Sequence, residues 1–151
     1  VTDSILVVES SPEGVAAIER AISRSHPRIR LEFLGSGDEV LPRLTAHGAA
    51  LPGIMLLCLT VPGGGTMPGE GAMPGEGGLA VIRQVRADAT LNAIRIVVFT
   101  SSEDQAEADA CYAAGADSYI YKPVSFALFQ TVLRQTLDYW GNVAAPPPTQ
   151  T

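Results

Sequence analysis

The run Ile54-Met55-Leu56-Leu57-Cys58-Leu59 decides how this chain folds. An unbroken apolar stretch of this length describes a strand buried on both faces, as in a parallel sheet covered by helices on either side. Working outward, similar runs recur at Ser4 to Val8 and Ile94 to Phe99, with a shorter one at Ser118 to Tyr121. Ile29, Leu31 and Phe33 alternate instead, which places that strand at the sheet edge.

Helical patterns fill the gaps. Ser11-Pro12 opens a helix whose Val15, Ile18 and Ile22 recur at helical spacing, and Pro27 stops it. Ser36-Gly37-Asp38-Glu39 reads as a capping box for a helix running to about His47-Gly48. Leu79, Ile82 and Val85 sit on a third helix. Ser102 with Gln105 caps a fourth that ends near Gly115, and Ser125 caps a last one reaching about Tyr139. Strands and helices in strict alternation define an α/β fold with right-handed connections.

Two segments break the rhythm. Gly63 to Gly77 is rich in Gly and Pro and holds a tandem copy, Met67-Pro68-Gly69-Glu70-Gly71-Ala72 followed by Met73-Pro74-Gly75-Glu76-Gly77-Gly78. Two copies are too few for a solenoid. The stretch reads as an insertion in the loop after the third strand, either slippage that a surface loop tolerates or a lid over a pocket mouth. Residues 1–140 are therefore expected to form one domain with an insertion at about 63–77. The remainder, 141–151, contains Pro146-Pro147-Pro148 and is expected to be a flexible tail.

At 151 residues, 46% hydrophobic and 17% charged, the chain suits a single globular domain. A net charge of −6 without any basic run argues against a nucleic-acid partner, because non-specific affinity comes from clustered Lys and Arg. No apolar stretch approaches ~18 residues, so no membrane span is expected. The amino terminus lacks the features of a secretory leader. Two cysteines, Cys58 and Cys111, make no disulfide framework. The expected location is the cytoplasm. Lys122 is the sole lysine, so its placement is informative.

The strand ends carry a set of residues that matters in combination. Glu9-Ser10 follow the first strand, Cys58 closes the third run, Thr100-Ser101 follow the fourth, and Lys122-Pro123 follow the fifth. Thr100 and Lys122 lie 22 positions apart, Pro62 falls four after Cys58, and Tyr119 falls three before the lysine. Over residues 4 to 139 this pattern resembles the receiver domain of two-component response regulators. The stretch from Tyr121-Lys122-Pro123-Val124 to Asp138-Tyr139-Trp140 is similar to the regulators that accompany bacterial phytochromes.

The resemblance implies a CheY-like, flavodoxin-like three-layer sandwich, with a five-stranded parallel sheet of order 2-1-3-4-5 and helices on both faces. Its site would lie beyond the carboxyl ends of the strands. In that family an acidic pair holds Mg²⁺, an Asp accepts the phosphoryl group, and a hydroxyl and a lysine hold its oxygens. Here Cys58 stands at the phosphoacceptor position and Glu9-Ser10 at the acidic pair, while Thr100 and Lys122 remain as remnants of the phosphate site. Tyr119 matches the family's switch aromatic. Because hard cations want several oxygen ligands, no metal, no other cofactor and no catalytic residue are expected. Lys122, deprived of its usual partner, needs another anion, and a Glu9–Lys122 pair is expected.

Several residues admit two readings. Cys58 is either a sensor thiol activated by the neighbouring cation or a small hydrophobe tolerated once the Asp was dispensable. Thr100 and Ser101 are inherited phosphate ligands or strand-end residues entering a turn. Tyr119 is a switch or a packing residue. Cys111 fills the core. His26 and His47 receive no function.

The expected function is a phosphorylation-independent pseudo-receiver without an output domain, a protein–protein module rather than an enzyme. Its partner would be a histidine kinase or another regulator. A homodimer is also expected, through the face made by the fourth helix, fifth strand and fifth helix. Phe126, Phe129, Val132, Leu133, Leu137 and Trp140 on the last helix are either divided between sheet and interface or all core. The alternative is a redox-responsive receiver with Cys58 as the trigger. An enzyme with Cys58 as nucleophile lacks a general base apart from Glu9.

Overall fold

The structure is a computed structural model and describes residues 4–46, 48, 50–58, 76–100, 105–122 and 125–142. Strands β1 (Ser4–Val8), β2 (Arg30–Leu34), β3 (Ile54–Cys58), β4 (Arg95–Thr100) and β5 (Ser118–Tyr121) form one sheet of order β2-β1-β3-β4-β5. All its pairings are parallel. Helices α1 (Pro12–Ser25), α2 (Val40–Thr45), α3 (Glu76–Arg86), α4 (Gln105–Ala114) and α5 (Phe126–Asn142) cover its two faces. The α/β sandwich expected from the sequence is the fold observed.

The period of two along each strand builds both core layers. Leu6, Val8, Met55, Leu57, Ile96 and Val98 meet α2, α3 and α4 through Val40, Leu44, Ile82, Val85 and Cys111. The intervening Ile5, Val7, Ile54, Leu56, Val97 and Phe99 meet α1 and α5 through Ile18, Ile22, Phe129, Leu133 and Leu137. Every residue of β3 is buried, which explains why that strand reads as a continuous apolar run.

Most element ends follow their capping signals. The Ser11 hydroxyl accepts from the Gly14 N–H, with Pro12 at the first helical position. Ser125 accepts from the Leu128 N–H in the same way.

The second helix differs from expectation. A 3₁₀ turn over Gly37–Glu39 precedes an α2 that stops at Thr45, where Ala46 turns extended. Pro42 accounts for the break, since it has no N–H to bond back and is accommodated only in a first turn. The Glu39 carboxylate still accepts from the Gly35 and Ser36 N–H groups, at 3.1 and 3.2 Å.

Two other boundaries move. Helix α3 begins at Glu76, so the end of the second repeat copy is helical. Helix α5 runs to Asn142, beyond the expected Tyr139. Trp140 anchors that extra length: its indole N–H donates to Ser118 Oγ at 2.8 Å, and the Arg95 guanidinium lies 5.4 Å over its ring. The rest of the insertion, the tail from 143, His47, Leu59, Pro62, Ser101, Ser102 and Pro123 lie outside the described residues.

Polar ties fix the opposite end of the sheet. Asp117 accepts from Arg86 Nη2 at 2.8 Å and from the Ile96 N–H at 2.9 Å, and pairs with Arg95 at 3.7 Å. On the other face, His26 Nε2 bonds Asp138 Oδ1 at 2.8 Å, and its Nδ1 lies 2.7 Å from Ser25 Oγ. The carboxyl ends of α1 and α5 are thereby joined.

Candidate functional site

The parallel register gathers the candidate residues at one end of the sheet. Val8 pairs with Leu57, so Glu9 follows β1 at the level of Cys58, the last residue of β3. Cys58 pairs with Phe99 and Thr100 with Tyr121, which puts Thr100 and then Lys122 one step further along. The Lys122 N–H donates to the Thr100 carbonyl at 2.7 Å.

Glu9 is the most enclosed charged residue described, at 4% exposure. Its Oε1 accepts from the Ser11 N–H at 3.1 Å, and its Oε2 from Lys122 Nζ at 3.1 Å. The expected Glu9–Lys122 pair is therefore present. A third neighbour makes room for it: a Cβ on Gly14 would lie 2.5 Å from Glu9 Oε2. Only glycine lets the first turn of α1 come this close, where the helix dipole also favours a carboxylate.

A second cluster stands at the ends of β4 and β5. Glu107, on the first turn of α4, accepts from Tyr119 Oη at 3.0 Å and from Thr100 Oγ1 at 3.4 Å. Burial of the phenol, and then the facing Glu107, push Tyr119 up to about 12. The Tyr119 ring also packs on the core layer that contains Cys58, and its N–H donates to Tyr112 Oη at 3.1 Å.

The set thus divides. Glu9 joins Lys122, and Thr100 joins Tyr119 through Glu107. Cys58 is buried in the core layer at 8% exposure, and Ser10 is exposed beside Glu9. Neither cysteine forms a disulfide; Cys111 is fully buried on the sheet-facing side of α4, where burial and then Glu107 push its thiol up to about 11.

Glu107 was missed by sequence reasoning. It follows Thr100 by seven positions, a spacing shared by any solvated acid early on α4. Gly14 carried a weak signal, a glycine inside the first turn of a helix where another residue would serve better.

The family's Mg²⁺ does not fit these donors. Both Glu9 oxygens are engaged, its neighbours are a thiol and a hydroxyl, and an octahedral hard cation wants several oxygens. Among the described residues, no three His, Cys, Asp or Glu side chains cluster as a metal site would require. Also among them, no helix is long and apolar enough to cross a membrane.

A parallel sheet of order 2-1-3-4-5 with a lysine and a hydroxyl residue at the ends of its last two strands defines a receiver-type protein. Comparison with known proteins agrees. The pattern of the response regulator receiver domain matches residues 70–134. The probable methanogenesis regulatory protein FilR2 of Methanothrix harundinacea (strain 6Ac) is 30% identical over 148 residues, spanning 95% of this chain and 88% of that protein.

Crystal structures share the fold. The phosphorylated cyanobacterial phytochrome response regulator RcpA superposes with a TM-score of 0.81 at 20% identity, over 97% of this chain and 100% of that one. RPA3017, a response regulator in red light signalling of R. palustris, gives 0.76 at 23%, over 97% and 99%. A response regulator from Hahella chejuensis gives 0.75 at 25%, over 93% and 96%. This chain belongs to the response regulator receiver family. Receivers are in general signalling modules rather than enzymes, and they interact with histidine kinases or other regulators.

Proposed function

We propose that this chain is an atypical receiver that works without phosphorylation, as a protein-interaction module of two-component signalling. The observation that carries the reading is the engagement of Glu9. With a thiol at the acceptor position and the neighbouring carboxylate tied to Lys122, neither the nucleophile nor the cation that phosphoryl transfer needs has a place. Residues 1–140 would act as the receiver unit, with 63–77 an insertion and 141–151 a tail, in the cytoplasm. The partner is a histidine kinase or a second regulator. The α4–β5–α5 face would pair two copies.

The redox alternative, with Cys58 as sensor, is less well supported, because a thiol at 8% exposure is poorly placed to meet an oxidant. Incubation with acetyl phosphate and Mg²⁺, followed by intact mass, tests the main reading. The expected result is no added phosphoryl group. Acid-labile incorporation on any residue of the site would overturn it.

A further inference from the structure

The chain is acidic overall, yet one groove on its surface is walled by arginine. Where α1 lies along α5, a cavity of about 350 Å³ is lined by Arg24, Ser25, Ala127, Gln130, Thr131 and Arg134. Positions 127, 130, 131 and 134 form a single stripe of α5 at helical spacing. Arg20, one turn before Arg24, extends the same edge of α1, its guanidinium 5.3 Å over the Phe126 ring. All three arginines are exposed.

Arg43, Arg86, Arg95 and Lys122 each have a carboxylate within 4 Å, whereas the three groove arginines, like Arg28, Arg30 and Arg83, have none among the described residues. What sets Arg20, Arg24 and Arg134 apart is that they gather along one groove. The floor mixes Ala127 with the Gln130 amide and with the Ser25 and Thr131 hydroxyls, which donate to the Ala21 and Ala127 carbonyls. Guanidinium forks with such neighbours suit carboxylates.

From this we infer that the α1–α5 groove docks an acidic segment of a partner protein. Arg20 and Arg24 stand about 6 Å apart along α1, and Arg134 faces them from α5, so one small anion cannot serve all three. A chain carrying several carboxylates can. Nucleic acid is disfavoured by the net charge of −6. The groove helices are also the ones that begin beside Glu9 and after Lys122, so an occupant would lie against both elements that flank the site.

The inference rests on the binding-module reading for its purpose, but its test involves no phosphoryl donor, so the two fail separately. The ¹⁵N-labelled full chain is titrated with a hexaglutamate peptide and, in a parallel arm, with inorganic phosphate. Saturable shifts at Ser25, Gln130 and Thr131 with the peptide, weakening as salt is raised, are expected. The double variant Arg24→Gln/Arg134→Gln should bind at least tenfold more weakly with an unchanged fold. The variant Arg83→Gln, altered on exposed α3 across the sheet, should bind as the parent does. Phosphate binding as tightly as the peptide, or equal loss in the Arg83 variant, would overturn the proposal. So would an absence of saturable shifts.

Discussion

Glu9 and Lys122 are buried unequally, with side chains 3% and 27% exposed, so losing one is not equivalent to losing the other. Among the described residues, Lys122→Met leaves a carboxylate enclosed with only the Ser11 N–H for company. Breaking a buried pair in that direction costs about 3 kcal/mol. Glu9→Gln leaves a lysine that can still reach water, and about 1 kcal/mol is expected. Urea denaturation of both variants checks the ordering, and equal losses would show that the pair is not the anchor described.

This pair was legible in the sequence because a sole lysine without its family partner must find an anion, and Glu9 was the carboxylate on offer. The reason Glu9 can go so deep was not legible. It depends on a missing Cβ at Gly14, a matter of tenths of an ångström that no spacing rule carries.

Between elements, the contact that ties α4 to β5 is a carboxylate shared by two hydroxyls. A phenol raised to about 12 favours its neutral form in the folded protein. That contribution is whole below the ordinary tyrosine value of about 10 and is lost as pH climbs toward about 12. Glu107→Leu should lower the Tyr119 value while leaving it above the ordinary one, because the larger cause, burial, remains. Titration of the Tyr119 ring carbon by NMR reads this directly; an unmoved value would mean that Glu107 does not hold the ring.

The two readings of Tyr119, packing and switch, are not exclusive in this geometry, since the ring packs while its hydroxyl is held by the helix. Elements with one dominant signal were legible in advance, as the unbroken apolar run of β3 and the helical spacing of α1 show. The length of α2 was not, because Pro42 divides the segment into a 3₁₀ turn and a short helix, although the Ser36–Glu39 capping box forms as read. Nor was the end of α5, which a cation over an indole prolongs through residues distant in sequence.

Across the whole molecule, the exposed aromatic residues gather on one side. Tyr112, Tyr121 and Tyr139 are exposed on α4, β5 and α5. Tyr112 and Tyr139 line a cavity of about 290 Å³ together with Tyr119, Val132 and Trp140. On α5, Phe129, Leu133 and Leu137 are buried in the core, Phe126 and Trp140 pack against it half-buried, and half-buried Val132 lines the cavity, while Leu128 and Tyr139 face out. Such a face suits an interface, where tyrosine is enriched and charge is sparse. If it pairs two copies, sedimentation should show a dimer that Tyr112→Arg/Tyr139→Arg converts to monomer. A dimer that persists in that variant would place the contact elsewhere.

Trp140 stands at the rim of that cavity, held by Ser118, covered by Arg95 and met edge-on by Tyr139 at 4.8 Å between centroids. It is the one tryptophan in the chain. Its emission therefore reports from a single known spot, and occupation of the cavity should change colour and quenching there. The molecule carries its own optical label for the surface through which it is expected to speak.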